Sequence, residues 1–378
     1  MNAVSLAVYK AAALRRLRRF LGKPVDPYAP LPAGTKLSPS LGIQTAYRDI
    51  PRAFGFDAGH GLEPLDWQTE ARAKLADLTG YQTDRIPAAV TASLPEETVG
   101  DGIIKRTFYL RVRPDTDLPV HLIYKSGLSQ PAPVFLHLAG STSGVHLAWG
   151  ATRVPIDHQR VAIGADMARQ AAERGYLAVA IEQAGYGERG ERHLKQASAN
   201  RTIDAANHLL LLGRTLMGDG ASDVSSALDW LFGGECPVPG RADRVFLFGH
   251  SAGGTLAQFA AALDTRIAGV LASGSVGPVR DTIGNRGAGG GDGIVPGFLN
   301  WFDTQDMIAL VAPRTFIGLS GDRDHIFPYS GVEVAVAAAR PFYASVGAEE
   351  AVQAVRVDGP HQYHAEASWA AWTRHFEG

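Results

Sequence analysis

A chain of 378 residues that is 46% hydrophobic and 20% charged can bury a sizeable core and lies outside the disordered and collagen-like ranges. Its formal net charge of −2 excludes bulk attraction to nucleic acid or to an anionic membrane. The single cysteine, Cys236, excludes a disulfide within the chain; an inert thiol in a reducing compartment is expected. No apolar run reaches about eighteen residues, so no transmembrane helix is expected, and the expected location is cytoplasmic.

In chain order, residues 3–21 carry Arg15, Arg16, Arg18 and Arg19 after their apolar residues. A secretory signal has the reverse order, so the segment is expected to be an amphipathic surface helix. Residues 22–64 are rich in Pro and Gly and lack periodicity, which predicts an extended arm. Residues 66–78 predict a helix capped by Asp66, with Ala71, Leu75 and Leu78 on one face and Gly80 beyond its end. Residues 104–112 and 120–124 predict an antiparallel strand pair. Beyond them apolar runs at 134–136, 177–181, 245–248, 267–272, 315–319 and 352–357 alternate with helical stretches. That alternation predicts βαβ units: an α/β fold with a mostly parallel sheet of about eight strands flanked by helices. The predicted division is an N-terminal extension, 1–96, packed on a catalytic domain, 97–378.

The strongest motif is Gly249-His250-Ser251-Ala252-Gly253. It follows the apolar run 245–248 and precedes a helical stretch. A strand, a sharp turn bearing serine and then a helix is the setting that G-x-S-x-G requires, because small residues two positions away on each side let strand and helix cross. The serine oxygen then stands at a helix N-terminus, where developing negative charge is favoured. A glycine-rich turn with an incidental serine is the plain alternative, and the matching flanks argue against it.

Serine needs a base and an orienting acid, which in this arrangement follow it in chain order. The loop Gly321-Asp322-Arg323-Asp324 offers two carboxylates after a strand. Asp324 is preferred because the loop must turn before a side chain can aim back, and Asp322 is the alternative. His361 follows the last strand directly and is the expected base. His364 is the alternative, and His375 sits in the final helix as a structural residue. His361 and His364 form an H-x-x-H pair without a third ligand nearby, so no metal is expected, and no organic cofactor.

The oxyanion donors are expected to be the backbone N–H groups of Ala252 and of Ala139, the latter in the loop after strand 134–137. His137 is expected to support that loop. Trp149, Phe298 and Trp301 lie in loops on the side where the elbow opens and are candidates for the substrate pocket. Arg189, Arg192 and Arg286 are candidates for an acidic substrate group, with surface or structural pairing as the plainer role.

Several further segments carry a resemblance: Arg174-Gly175-Tyr176, residues 185–189, Ser222-Asp223 through Asp229-Trp230-Leu231, residues 263–267, Ala312-Pro313-Arg314-Thr315, residues 321–328 and Gly359-Pro360-His361. With the elbow, they make residues 100–376 resemble the α/β-hydrolases grouped with bacterial acetyl xylan esterases and dienelactone hydrolases. The resemblance implies the α/β-hydrolase fold and places Ser251, Asp324 and His361 in the family's catalytic positions. The chain departs from that pattern twice. Glu182-Gln183 stands where an aspartate is common after the strand at 177–181. His137-Leu138-Ala139-Gly140 replaces the common His-Gly pair.

The expected function is that of a serine esterase, acting on a small-molecule or carbohydrate ester such as an acetylated sugar. A lactone or C–C bond hydrolase using the same three residues is the alternative. A catalytically silent binding protein is a third reading, against which the presence of all three residues counts.

Overall fold

A computed structural model describes residues 32–48, 50–198, 202–284 and 293–377, together with Leu14 and Leu17. The arginine-rich segment 3–21 therefore lies outside the described residues, apart from those two leucines. The chain divides into two compact units, Met1–Arg48 and Asp49–Gly378. The boundary read at 96/97 thus falls inside the larger unit. Within the smaller unit the segment expected to be an arm contains the helix Pro39–Arg48.

In the larger unit, the helix Pro64–Thr79 opens with Pro at its first position, where the missing N–H costs nothing. Its cap position is Glu63, which makes no side-chain cap bond; Asp66 lies in the first turn instead of capping it. Gly80 closes the helix in the left-handed conformation, its N–H donating to Ala76 and Asp77 carbonyls. Trp67, Ala71 and Leu75 are buried, and the Gln68 amide donates to the Ala309 and Ala312 carbonyls at 2.8 and 2.7 Å.

Among the described residues the sheet has ten strands where about eight were expected: β1 Ala89–Ser93, β2 Glu97–Gly100, β3 Ile103–Arg113, β4 Thr116–Lys125, β5 Ala132–Leu138, β6 Leu177–Ile181, β7 Gly240–His250, β8 Gly269–Ser273, β9 Thr315–Gly321 and β10 Val352–Val357. Their spatial order is β1-β3-β4-β6-β5-β7-β8-β9-β10, with β2 also on β3. The pairs from β6 through β10 are parallel, and the β1, β2, β3 and β4 pairings are antiparallel.

Alternation along the strands sends side chains to opposite faces. On β5, Val134, Leu136 and Leu138 join one core, against the helices Pro64–Thr79, Leu216–Phe232, Ala252–Leu263, Thr304–Val311 and Tyr329–Ser345. Phe135 joins the other core, with Met167–Glu173 and Ala365–Trp372. A sheet covered on both faces explains why the central strands read as unbroken apolar runs. None of the described helices is long and apolar enough to cross a membrane. Cys236 is part-buried, its thiol donating to the Val238 carbonyl at 3.3 Å, and burial pushes its pKa up.

His137 is buried on the same face of β5 as Phe135, its ring centroid 6.4 Å from that of Phe135 and 5.7 Å from that of Phe248. Among the described residues neither of its ring nitrogens has a hydrogen-bond partner, so it sits in the sheet and makes no hydrogen bond to the described part of the loop. Burial holds its pKa down at about 3. The unfolded chain takes up this proton near pH 6.5, and the folded chain refuses it until about pH 3. Folded-state stability must therefore fall as pH drops through that window, by about 1.4 kcal/mol per pH unit for each such proton. His137→Phe is expected to flatten the stability-against-pH slope between pH 6 and 4 by about that amount, measured by urea unfolding. Parallel slopes for the variant and wild type would show that His137 carries no acid sensitivity.

Candidate active site

The carboxyl ends of the parallel strands are where an open α/β sheet presents a ligand site. Ser251 follows β7 there, with φ 53° and ψ −122°, a conformation a non-glycine residue adopts only when its surroundings impose it. Its N–H donates to the Ser273 carbonyl on β8 at 2.8 Å, and its carbonyl accepts from the Thr255 N–H at 2.9 Å. Close packing makes the flanking glycines obligatory. A Cβ on Gly249 would lie 2.2 Å from the Gly253 carbonyl oxygen, and one on Gly253 would lie 2.2 Å from the Leu138 oxygen.

The loops after β9 and β10 bring the other two residues to this turn. His361 Nε2 lies 2.9 Å from Ser251 Oγ, and His361 Nδ1 lies 2.7 Å from Asp324 Oδ2. With the imidazole proton on Nδ1, His361 donates to Asp324 and Nε2 is left to accept from the serine hydroxyl. Asp324 is buried. Its Oδ1 accepts from the N–H groups of Ile326 and Phe327, each at 2.8 Å, and the Ser320 hydroxyl, 3.3 Å from Oδ2, donates to the Phe327 carbonyl at 2.5 Å. Burial works against the charged carboxylate, but the His361 bond and the Phe327 and Ile326 donors outweigh it and hold its pKa below the usual carboxylate range.

Asp322, the alternative acid, turns to Arg356 and to the Gly359 N–H. His364, the alternative base, lies 3.0 Å from the carbonyl of Pro360 through Nε2 and so folds back on its own loop. His250 packs behind the base, with ring centroids 5.2 Å from His361 and 4.2 Å from Tyr363. Its Nδ1 lies 3.2 Å from Ser273 Oγ. Burial, reinforced by the neighbouring His361, holds its pKa down at about 3 and so keeps it neutral.

The loop after β5 faces the serine from the other side. A Cβ on Gly140 would lie 2.9 Å from the His250 carbonyl oxygen and 3.2 Å from Ser251 Cβ. Backbone there must give way to any side chain, so Gly140→Ala is expected to push the loop off the serine and lower kcat by about a hundredfold, with a smaller change in KM. Steady-state kinetics on an aryl ester check this; an unchanged kcat would mean that the loop's distance from Ser251 does not matter. The Ala139 carbonyl accepts from Gln183 Nε2, the Gly140 N–H donates to Tyr363 Oη at 3.4 Å, and the Thr142 N–H donates to the Gly140 carbonyl at 2.7 Å. The N–H groups of Ser141 and of Ala252, the first residue of the helix Ala252–Leu263, have no hydrogen-bond partner among the described residues.

The departure at 182–183 has a structural counterpart. Glu182 is buried, and its carboxylate accepts from the Val145 N–H at 3.0 Å and the Glu188 N–H at 3.3 Å. Burial pushes its pKa up to about 7 despite those donors. Arg189 pairs with Asp223 at 2.7 Å and donates to the Glu182 carbonyl, so it is a structural cation. Arg192 is exposed and Arg286 lies outside the described residues.

The three aromatic pocket candidates are spent on packing. Trp149 is buried in the second core, its ring 4.7 Å from that of His121 and under the Lys105 ammonium. Phe298 is buried against Phe259 and Phe302. Trp301 lies against the first core beneath the Lys74 ammonium, 4.0 Å from its ring centroid. Sequence reasoning passed over Tyr363 and Tyr186 as parts of the site, and marked Gln183 only as part of the departure at 182–183. Tyr363, two residues after His361, had a position that could have flagged it.

Comparison with known proteins places this geometry in a family. A Bacillus subtilis (strain 168) protein named as a hydrolase, YtaP, is 27% identical over 301 residues, covering 78% of this chain and 94% of its own length. A Bacteroides fragilis structure described as an acetyl xylan esterase superposes with a TM-score of 0.67 at 19% identity, covering 89% of this chain and 84% of its own. A glucuronoyl esterase from Solibacter usitatus gives 0.62 at 18% identity, covering 92% and 98%. These low-identity likenesses carry the fold. The Abhydrolase family model matches residues 40–338, so the chain belongs to the Abhydrolase family and is a member of the α/β-hydrolases.

Proposed function

We propose that the protein is a serine esterase that cleaves carboxylic esters through an acyl-enzyme, with Ser251 as nucleophile, His361 as general base and acid, and Asp324 as the orienting acid. The observation that carries this reading is the unbroken hydrogen-bond chain from Ser251 Oγ to His361 Nε2 at 2.9 Å and from His361 Nδ1 to Asp324 at 2.7 Å. It ends on a serine held at positive φ where a helix begins. Serine is a weak nucleophile at its ordinary pKa, and such a chain is what activates it.

In the first half-reaction His361 takes the Ser251 proton as Oγ attacks the ester carbonyl, and Asp324 stabilises the imidazolium. The oxyanion is held by the Ala252 N–H and by an amide of the loop after β5. That second donor is assigned to Ser141 rather than Ala139. Leu138 is still paired with Gly249 in the sheet, so Ala139 sits at the ladder's end, whereas Gly140 is the residue that reaches Ser251. His361 then gives its proton to the leaving alcohol, and water hydrolyses the acyl-enzyme by the same route.

An esterified carbohydrate is the proposed substrate class, since fold relatives are named for acetyl xylan and glucuronoyl esters. The test is a panel of p-nitrophenyl acetate, acetylated xylo-oligosaccharides, a methyl ester of a glucuronic acid and an aryl lactone. The sugar esters are expected to give the highest kcat/KM. Preferential lactone turnover would move the assignment to a lactonase with the same three residues.

A further inference from the structure

The segment between Ala139 and His146 is tied down along its length, and several of the ties come from outside it. Its first peptide group, Ala139–Gly140, is gripped at both ends: the carbonyl accepts from Gln183 Nε2 and the N–H donates to Tyr363 Oη. The next peptide, Gly140–Ser141, is held through its carbonyl by the Thr142 N–H. Ser141 Oγ lies 2.9 Å from Tyr186 Oη. Ser143 donates to Asp157, and Asp157 also pairs with His146 at 2.9 Å. At the far end Glu182 accepts from the Val145 N–H. Among the described residues the Ser141 N–H has no partner, and it belongs to the peptide that follows Gly140, where a Cβ would lie 3.2 Å from Ser251 Cβ.

A free N–H serves a developing oxyanion only if its peptide plane is fixed before the reaction, because preorganisation is the source of the rate gain. The plane of Gly140–Ser141 turns about Gly140, whose N–H side belongs to the peptide that Gln183 holds. Gln183 itself leaves the end of β6, a fully buried central strand, so it transmits the rigidity of the sheet to the loop. Glu182, the preceding residue, ties the same loop six residues further along. One strand end thus anchors both ends of the segment.

We propose that Gln183 is a positioning residue for catalysis: its side-chain amide, by holding the Ala139 carbonyl, sets the peptide plane that aims the Ser141 N–H at the oxyanion. This rests on the esterase reading of the preceding section. It predicts a role that appears in the transition state and not in substrate binding.

The test compares wild type, Gln183→Leu and the near-isosteric Gln183→Glu, which keeps the size and loses the N–H donor. Each is titrated with a fluorophosphonate so that rates are expressed per reactive serine. The substrate is p-nitrophenyl acetate, and phenylboronic acid serves as a tetrahedral mimic. Both variants are expected to lose about ten- to a hundredfold in kcat per titrated site, with KM within about twofold of wild type. The boronate Ki is expected to rise by the same factor as kcat/KM falls. A purely structural role would lower the melting temperature or the number of titratable sites while leaving the per-site kcat and the boronate Ki unchanged. That result in either variant would overturn the proposal and leave the esterase reading standing. A wild type that neither labels nor hydrolyses would overturn the esterase reading and this proposal together.

Discussion

Ser251→Ala is expected to lower kcat for a short-chain aryl ester by about 10⁴- to 10⁶-fold, with the fold and melting temperature intact. The side chain is small, and the strained backbone at φ 53° is imposed by the surrounding ladder and glycines rather than by the hydroxyl. Alanine at that position keeps the same turn, and what disappears is the atom that becomes acylated. Residual turnover would come from the amides of Ala252 and Ser141 polarising a bound ester toward water. Steady-state kinetics beside a thermal melt separate the two effects. A variant within tenfold of wild type would remove Ser251 from the mechanism.

The second large effect is expected at Asp324→Asn, a loss of about 10⁴-fold in kcat with little change in KM. The carboxylate now accepts from His361 and from the Ile326 and Phe327 N–H groups. In the variant the two backbone donors select the amide oxygen, and the NH₂ group turns toward His361. The imidazole must then present an acceptor at Nδ1 and carry its proton on Nε2, where it faces Ser251 and cannot take the serine's proton. Because the folded-state pKa of Asp324 is depressed, the stability it contributes is present above the ordinary carboxylate pKa. That stability is lost progressively as pH falls from the ordinary carboxylate value through the lower folded one. Asp322→Asn serves as the control and is expected to stay close to wild type, since Asp322 faces Arg356 and Gly359. Equal losses in the two variants would contradict the assignment.

The parts of this molecule that were legible in its sequence are those where backbone geometry restricts residue type. Gly249 and Gly253 must be small because each Cβ would strike a carbonyl about 2.2 Å away, so the elbow leaves a pattern. The strands β5 to β9 lie inside the sheet and are buried over most of their length, so they show as apolar runs between helices. The sequence favoured Asp324 over Asp322 without separating them: both follow the same strand, and the turn that the Ile326 and Phe327 N–H groups make around the Asp324 carboxylate leaves no mark in residue type.

Other features leave no such trace. β1 is an edge strand with all five residues exposed, so it lacks the alternation that marks a half-buried strand. The helix Pro39–Arg48 lies in a stretch whose prolines and glycines read as an arm. Trp149, Phe298 and Trp301 have the side chains a pocket would use, but residue type does not tell which way a ring points; here Trp149 and Phe298 fill cores and Trp301 lies part-buried against one. The oxyanion donor is a backbone group that every non-proline residue possesses. Its position depends on long-range ties such as Gln183 to Ala139 and Tyr363 to Gly140, whose partners are far apart in sequence.

The most direct test of the account is the intact mass of the protein after reaction with a fluorophosphonate, followed by peptide mapping of the adduct. The account predicts a single phosphonyl group on Ser251, absent from Ser251→Ala and formed much more slowly in His361→Ala. An adduct on another serine, or no adduct on a folded protein that hydrolyses esters, would contradict it.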